Sequence, residues 1–477
     1  MKELTADVAV IGAGSAGLTA FRAARIRHER VLLIEEAQYG TTCARVGCMP
    51  SKLLIAAAQA AHEARHAGRF GVHAGEIKVD GQAVMRRLQQ ERDRFVGFAV
   101  DSTEAIPPAL RLRGTARFLG LQQLQVGDHS IVDANAVVIA TGSRPFIPNE
   151  LHAAGDRLFT SDNLFEWPSL PESIAVVGTG AIGLELGQAL HRLGVRVVLY
   201  GRDESAGFLD DPVLAELSTR LFGSELDLRL QTQIVASERT AAGVALTVRD
   251  HEGRTTVENF SHVLCATGRT PNVDRLNLDA IGLQLDRRGV PVFDPATMQC
   301  GDSPVFIAGD ASNERPLLHE AVAQGRLAGD NAGSWPQVEQ GLRQVPLAVA
   351  FSEPQLAQIG PRWEALRNQQ CAVGRVSFES QGRSRVIGEN QGALHIYADR
   401  GSGRLLGAQM AGPRAEHLAH LLAWALQNEM TISQMLRMPF YHPVIEEGIR
   451  TALKDARDQM LKPAPEIVHC DDCTPGM

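Results

Sequence analysis

The chain has 477 residues, 44% of them hydrophobic, with 45 glycines and a formal net charge of −8 at pH 7. That is too long for one hydrophobic core and implies several domains of a folded, glycine-rich α/β protein. The acidic balance and the lack of a long apolar run argue against nucleic acid and against a membrane as partners.

Residues 7–17, DVAVIGAGSAG, read as a short apolar strand running into a G-x-G-x-x-G turn with Gly12, Gly14 and Gly17. A helix and a second strand, VLLIE at 31–35, follow. The glycines allow the tight turn and bring the backbone close to a pyrophosphate on the helix N-terminus. Glu35, some twenty residues on, is placed to accept hydrogen bonds from a ribose. Residues 40–52, GTTCARVGCMPSK, then present Cys43 and Cys48. Their spacing suits neither a zinc knuckle nor a C-x-x-C pair, and no metal site is expected. Pro50 and the Ala-rich run from 53 to 67 predict a helix, and a thiol at its N-terminus has a stabilised thiolate. Two buried structural cysteines would leave the neighbouring fingerprint unexplained. An odd, sparse set of seven cysteines and a strand that starts almost at once predict a cytoplasmic protein.

Further along, AVVIATGSRP at 136–145 ends a strand in a turn at Thr141 and Gly142. SIAVVGTGAIG at 173–183 repeats the fingerprint with Gly178, Gly180 and Gly183. Where the counterpart of Glu35 would stand there is Gly201, followed by Arg202. A cation without the acid suits a 2′-phosphate, so the second fold leans towards NADPH, although Asp203 and Glu204 oppose it. HVLCATGRTPN at 262–272 supplies a matching turn with Gly268 and Arg269. SPVFIAGDA at 303–311 puts Gly309 and the Asp310 carboxylate at the C-terminal mouth of a strand, where open sheets bind ligands. From Val345 the pattern becomes strands with tight turns and an amphipathic helix, without a glycine fingerprint, as expected of an association domain. It ends with His442 before a proline and Glu447 five residues later, in the first turn of a helix. Cys470 and Cys473 follow Pro463 and Pro465, and this tail is expected to be a flexible arm.

Taken together, GAGSAG, TTCARVGCMPSK, ATGSRP, GTGAIGLELG, ATGRTPN, FIAGD and HPVIEE make the chain resemble the flavin-dependent pyridine nucleotide-disulfide oxidoreductases over nearly its whole length, dihydrolipoyl dehydrogenase most of all. The resemblance implies an α/β fold: two Rossmann-like FAD and NAD(P) domains of the three-layer ββα type, plus an α+β C-terminal dimerisation domain. The FAD domain would span 1–147 and resume over 275–344, around an NAD(P) domain at 148–274. The dimerisation domain would span 345–462 and the tail 463–477. FAD would lie on Gly12, Gly14, Gly17, Glu35, Thr42, Thr141, Gly142, Gly309 and Asp310. NAD(P)H would lie on Gly178, Gly180, Gly183, Arg202, Gly268 and Arg269. Cys48 would be the thiol beside the flavin and Cys43 the exchange thiol, with Lys52 and Glu185 as an ion pair nearby. His442 of the partner subunit, oriented by Glu447, would be the acid-base in a homodimer with shared sites. The implied substrate is a small or carrier-bound dithiol or disulfide. Ala44 and Arg45 stand where the family usually has Leu-Asn, while Phe440 and Val444 depart from the dihydrolipoyl dehydrogenase pattern. The alternatives are an NADPH-dependent disulfide reductase of the glutathione or thioredoxin reductase type, using the C-terminal thiol pair, and a diaphorase whose thiol site is unused.

Overall fold

The computed structural model describes residues 1–461, so Cys470 and Cys473 lie outside the described residues. The chain forms two units. The first comprises Met1–Ala206 and Glu225–Gln344; the second comprises Gly207–Ser224 and, of the described residues, 345–461.

The first unit is built around strand β1 (Lys2–Ile11), which pairs in parallel with β2 (Val31–Glu35) and β6 (Ser130–Ile139). Strand β3 (Arg111–Arg113) adds to β2 as the sheet edge. Strands β4 (Ala116–Gly120) and β5 (Gln123–Val126) extend the sheet beyond β6 in antiparallel fashion. The inner strands are continuous apolar runs because both faces are covered: Val8, Val10, Leu33 and Val138 pack on one face, Ala9, Ile34, Val137 and Ile139 on the other. Helices α1 (Ser15–Arg25) and α7 (Leu318–Ser334) cross against each other there. A Cβ on Gly325 would come within 2.3 Å of the Ala16 carbonyl oxygen, so glycine sets the closeness of that crossing.

Strand β7 (Ser143–Pro145) leads out of this sheet towards a second one. In it β8 (Leu158–Phe159), β9 (Ser173–Val177), β10 (Arg196–Tyr200), β11 (Asp227–Arg229) and β15 (His262–Cys265) take the order β11-β10-β9-β15-β8, all parallel. An antiparallel layer of β12 (Gln233–Arg239), β13 (Val244–Arg249) and β14 (Thr255–Phe260) packs its apolar residues against it. Strand β16 (Arg269–Pro271) pairs antiparallel with β7, and β17 (Val305–Ile307) then returns to pair with β6. The expected α/β class is the fold that forms.

The second unit is a five-stranded antiparallel sheet of β18 (Leu347–Ala350), β19 (Gln355–Ile359), β20 (Cys371–Ser377), β21 (Ala393–Asp399) and β22 (Leu405–Gly412), in the order β18-β19-β22-β21-β20. Helix α8 (Ala415–Gln427) and helix α9 (Glu447–Leu461) contribute Leu418, Leu422, Ile449 and Leu453 to its core. Gly207–Ser224, which lies inside the stretch assigned by sequence to the NAD(P) domain, packs with this unit instead. The reason is polar. Asp211 caps helix α6 (Pro212–Gly223) through Oδ1, which accepts from the Val213 amide at 3.0 Å. Its Oδ2 lies 2.7 Å from His395 Nδ1 and accepts from the Tyr397 hydroxyl at 2.9 Å. Burial alone would raise the Asp211 pKa; the bonds from His395 and Tyr397 and the charge of His395 outweigh it and hold the carboxyl below its ordinary value. Among the described residues no helix is long and apolar enough to cross a membrane.

A depressed folded-state pKa contributes stability above the unfolded value, near pH 4, and that contribution disappears as the pH falls through the folded value. Asp211→Ala should therefore destabilise the second unit by on the order of 3 kcal/mol at neutral pH. In thermal unfolding followed from pH 7 down to pH 3, the gap between wild type and variant should close with acid. A gap that stays constant would show that the Asp211 charge is not what anchors the segment.

Candidate active site

At the C-terminal ends of β1 and β6 the first fingerprint opens a cavity of about 770 Å³, lined by Gly12, Gly14, Glu35, Thr42, Thr141 and Gly142. Gly12 has φ +108°, and a Cβ on it would sit 2.3 Å from the Ala140 carbonyl oxygen. A Cβ on Gly17 would sit 1.8 Å from the Gly12 oxygen, so the third glycine lets helix α1 approach the turn. Glu35 accepts the Ala13 amide at 2.7 Å and the Ala37 amide at 2.9 Å. The Thr141 hydroxyl is buried and has no hydrogen-bond partner among the described residues. An unsatisfied hydroxyl, a glycine turn on a helix N-terminus and this volume fit a dinucleotide such as FAD. Gly309 and Asp310 stand beside the cavity rather than in its lining: Asp310 accepts from the Ser143 hydroxyl at 2.7 Å.

Ser143 is a residue the sequence reading passed over. Its hydroxyl also accepts from Arg269 Nε at 2.8 Å, and its carbonyl accepts from Arg269 Nη2 at 2.7 Å. Arg269, assigned by resemblance to the nicotinamide cofactor, is thus tied into the β7–β16 ribbon and to Asp162 at 3.2 Å. Asn272 was missed as well; its side chain donates to the Thr141 carbonyl at 3.1 Å and it lines the cavity. Both lie in the repeated ATG turns, which was the available signal.

The second fingerprint reproduces the first. Gly178 has φ +111°, and a Cβ there would meet the Ala266 oxygen at 2.3 Å. Gly180 precedes helix α5 (Ala181–Arg192), and Gly183 packs against the Gly178 oxygen as Gly17 does against Gly12. Gly268 follows β15 with φ +118°. Arg202 is exposed and makes no hydrogen bond or ion pair among the described residues.

The cysteine pair lies between β2 and β3 of the first sheet in sequence. Helix α2 (Thr42–Val46) is capped by Thr41, whose hydroxyl accepts from the Ala44 amide at 3.3 Å. Gly47, at φ −121° and ψ −114°, breaks it, and helix α3 (Cys48–His66) starts at Cys48 itself. The break brings the two thiols within hydrogen-bond reach. Cys43 donates to Cys48, and this bond is the main reason the Cys48 pKa falls to about 7. Burial opposes the fall; the Lys52 charge and a backbone amide assist it. The same bond, together with burial, drives the Cys43 pKa well above its ordinary value. Lys52, one turn into α3, pairs at 2.8 Å with Glu185 of α5, whose carboxylate is buried at 7% exposure. Arg45 points its guanidinium to the Tyr39 carbonyl at 2.9 Å and Gln38 Oε1 at 2.7 Å.

In the second unit His442 is 78% exposed, and its Nδ1 lies 3.1 Å from both Glu447 carboxylate oxygens. Glu447 also accepts the Val444 amide at 3.3 Å, and the bond with His442 leads the causes that hold its carboxyl below the ordinary value.

Comparison with known proteins agrees with this geometry. Residues 6–325 match the family described as pyridine nucleotide-disulphide oxidoreductase. The chain belongs to that family. Residues 346–453 match its dimerisation domain. Mycothione reductase of Mycobacterium tuberculosis is 31% identical over 470 residues, covering 95% of this chain and 100% of the relative. Dihydrolipoyl dehydrogenase of Halobacterium salinarum is 31% identical over 460 residues, covering 94% and 96%. Mercuric reductase of Shigella flexneri is 31% identical over 460 residues, covering 93% and 80%. Among solved structures, LpdA of M. tuberculosis superposes with a TM-score of 0.80 at 24% identity, covering 95% of this chain and 99% of that one. The protein is an FAD-dependent, pyridine nucleotide-linked disulfide oxidoreductase of the dihydrolipoyl dehydrogenase type.

Because the Cys48 pKa is lowered, its thiolate is the dominant form above about pH 7. Lys52→Met removes the cation that favours the thiolate and leaves the opposing Glu185 charge in place, which pushes the Cys48 pKa up, by about one unit. Alkylation of the reduced enzyme by iodoacetamide, followed against pH, should show that shift. An unmoved midpoint would mean that Lys52 does not tune the thiol.

Proposed function

We propose that the enzyme interconverts a small or carrier-bound dithiol and its disulfide through Cys43 and Cys48, as a homodimer in which each site takes His442 and Glu447 from the partner subunit. The observation that carries the reading is the break at Gly47, which ends α2 and starts α3 at Cys48, so that the two thiols come within hydrogen-bond reach of each other, the Lys52 charge favouring a thiolate on Cys48. FAD would be held on Gly12, Gly14, Gly17, Thr141 and Gly142 and, when bound, would supply two-electron transfer between the nicotinamide and the thiol pair. In the reducing direction Cys43 gives up its proton to the His442 imidazole, and its sulfur attacks one substrate sulfur. The substrate disulfide breaks and a mixed disulfide with Cys43 forms. The Cys48 thiolate then attacks the Cys43 sulfur, which closes the Cys43–Cys48 disulfide and expels the second substrate thiolate. His442 returns a proton to a leaving thiolate. Glu447 contributes by holding Nδ1, which keeps the other ring nitrogen for the exchange. Run backwards, the same steps oxidise a dithiol. A cytoplasmic location suits a thiol pair that must cycle.

Sharing of sites is supported by the dimerisation domain and by the exposure of His442. Cys43→Ser and His442→Ala homodimers should each lack disulfide turnover, and mixing them should restore part of it in heterodimers. If confirmed heterodimers stay inactive, the sites are not shared.

For the nicotinamide, an unpaired Arg202 beside the acid-free Gly201 favours NADPH slightly. Arg202→Ala should raise KM for NADPH about tenfold or more, as expected for one charge-assisted contact, and leave NADH nearly unchanged. An equal loss with both cofactors would remove Arg202 from 2′-phosphate recognition.

A further inference from the structure

Many arginines of the first unit are answered by carboxylates: Arg30 by Asp7, Arg144 by Asp274, Arg192 by Glu225, Arg343 by Glu314 and Glu320. Arg45, Arg111 and Arg113 differ. Among the described residues none of them has an ion pair, yet they line one hollow of about 570 Å³ at the edge of the first sheet, with Tyr39, Gln38 and Glu104. Arg111 and Arg113 stand two apart on edge strand β3, so their side chains share a face. Their guanidinium carbons lie 5.8 Å and 4.6 Å from the centroid of the Tyr39 ring. Arg111 Nε is buried without a hydrogen-bond partner. Arg45 reaches the same hollow from helix α2 and uses its bonds to Tyr39 and Gln38 to stay there.

Three like charges in one hollow repel one another, and a buried unsatisfied guanidinium nitrogen adds a desolvation cost. Glu104, the single carboxylate in the lining, offsets one charge without pairing with any of the three. The surplus matches a dianion, and planar guanidinium forks match the oxygens of a phosphate. The volume lies in the range of small-ligand sites and leaves room for more than the phosphate itself.

We propose that this hollow is an anion site that binds a phosphate dianion, free or as the terminal group of a small monoester. It borders the dinucleotide cleft without being part of it, since only Gln38 and Arg45 line both. Arg45 lies two residues from Cys43, so the bound anion is held in part by the helix that carries the exchange thiol.

The test is calorimetric titration of the FAD-loaded enzyme in a phosphate-free zwitterionic buffer, with inorganic phosphate in one arm and glycerol 3-phosphate in the other. Saturable binding of one anion per chain is expected. Arg113→Ala, at an exposed position, should weaken it about tenfold or more, and Arg111→Ala combined with Arg113→Ala should weaken it further. Arg113→Lys keeps the charge but not the fork and should fall between. Arg117→Ala, on β4 and bonded to Gln125, should bind as wild type does. Tighter binding in the ester arm identifies a monoester as the ligand, and equal or tighter binding of inorganic phosphate identifies the free ion. The Cys43→Ser enzyme, inert in thiol exchange, should bind phosphate normally, which separates this result from the fate of the thiol mechanism. No saturable binding in either arm, or an unchanged affinity in the double variant with a normal flavin spectrum, overturns the proposal.

Discussion

A single proton between two sulfurs organises the chemistry of this protein. With Cys43 as donor, that bond is the largest cause of both pKa shifts, with burial adding to the rise at Cys43 and the Lys52 charge to the fall at Cys48. The backbone must hold the sulfurs at that separation, which is why α2 ends at Gly47 and α3 begins at Cys48. Had one helix run through, residues five apart would point to different faces. Lys52, four residues into α3, shares a helix face with Cys48, and its bond to buried Glu185 fixes where its charge sits. Glu185 itself disfavours the thiolate, so the pair is a compromise: it holds the cation in place and tempers its effect.

The same bond creates the need for a base. A thiol that donates to a thiolate is a poor nucleophile until its proton is removed. His442 and Glu447 answer that need in chemical type. The dimer is, on this reading, part of the thiol chemistry rather than an addition to it.

Much of this was legible in sequence because the constraints are local. A glycine at φ +108° beside a strand end, with a third glycine under the helix, has one common reading, and the chain states it twice. The cysteine spacing, the helix after Pro50 and the His442–Glu447 spacing are likewise short-range. What stayed hidden depends on residues far apart. Asp211 could be read as a helix cap, but its partners His395 and Tyr397 come from the other end of the chain, so the assignment of Gly207–Ser224 to the second unit carried no local signal. Arg45 stood out as a departure from the Leu-Asn pattern, yet only the pairing of β2 with β3 shows that it shares a hollow with Arg111 and Arg113. Ser143 was hidden for a different reason: its turn was noticed, but the link from Asp310 to Arg269 requires the ribbon of β7 and β16.

The nicotinamide site shows how packing can narrow a specificity question that the sequence leaves open. An acid in place of Gly201 would bring a Cβ 2.6 Å from the Thr179 hydroxyl and 2.9 Å from Leu230 Cδ2, so both side chains would have to shift to admit it. On the proposed reading, the exposed residues that follow take part in recognition, with Arg202 favouring a 2′-phosphate and Asp203 and Glu204 opposing it. Glu204 lies within 3.3 Å of the Gln231 side chain, which draws it towards its own loop and away from free competition with Arg202. In water these exposed charges are screened and individually weak. Any preference built on such charges would be small, salt-dependent and reversible by few substitutions.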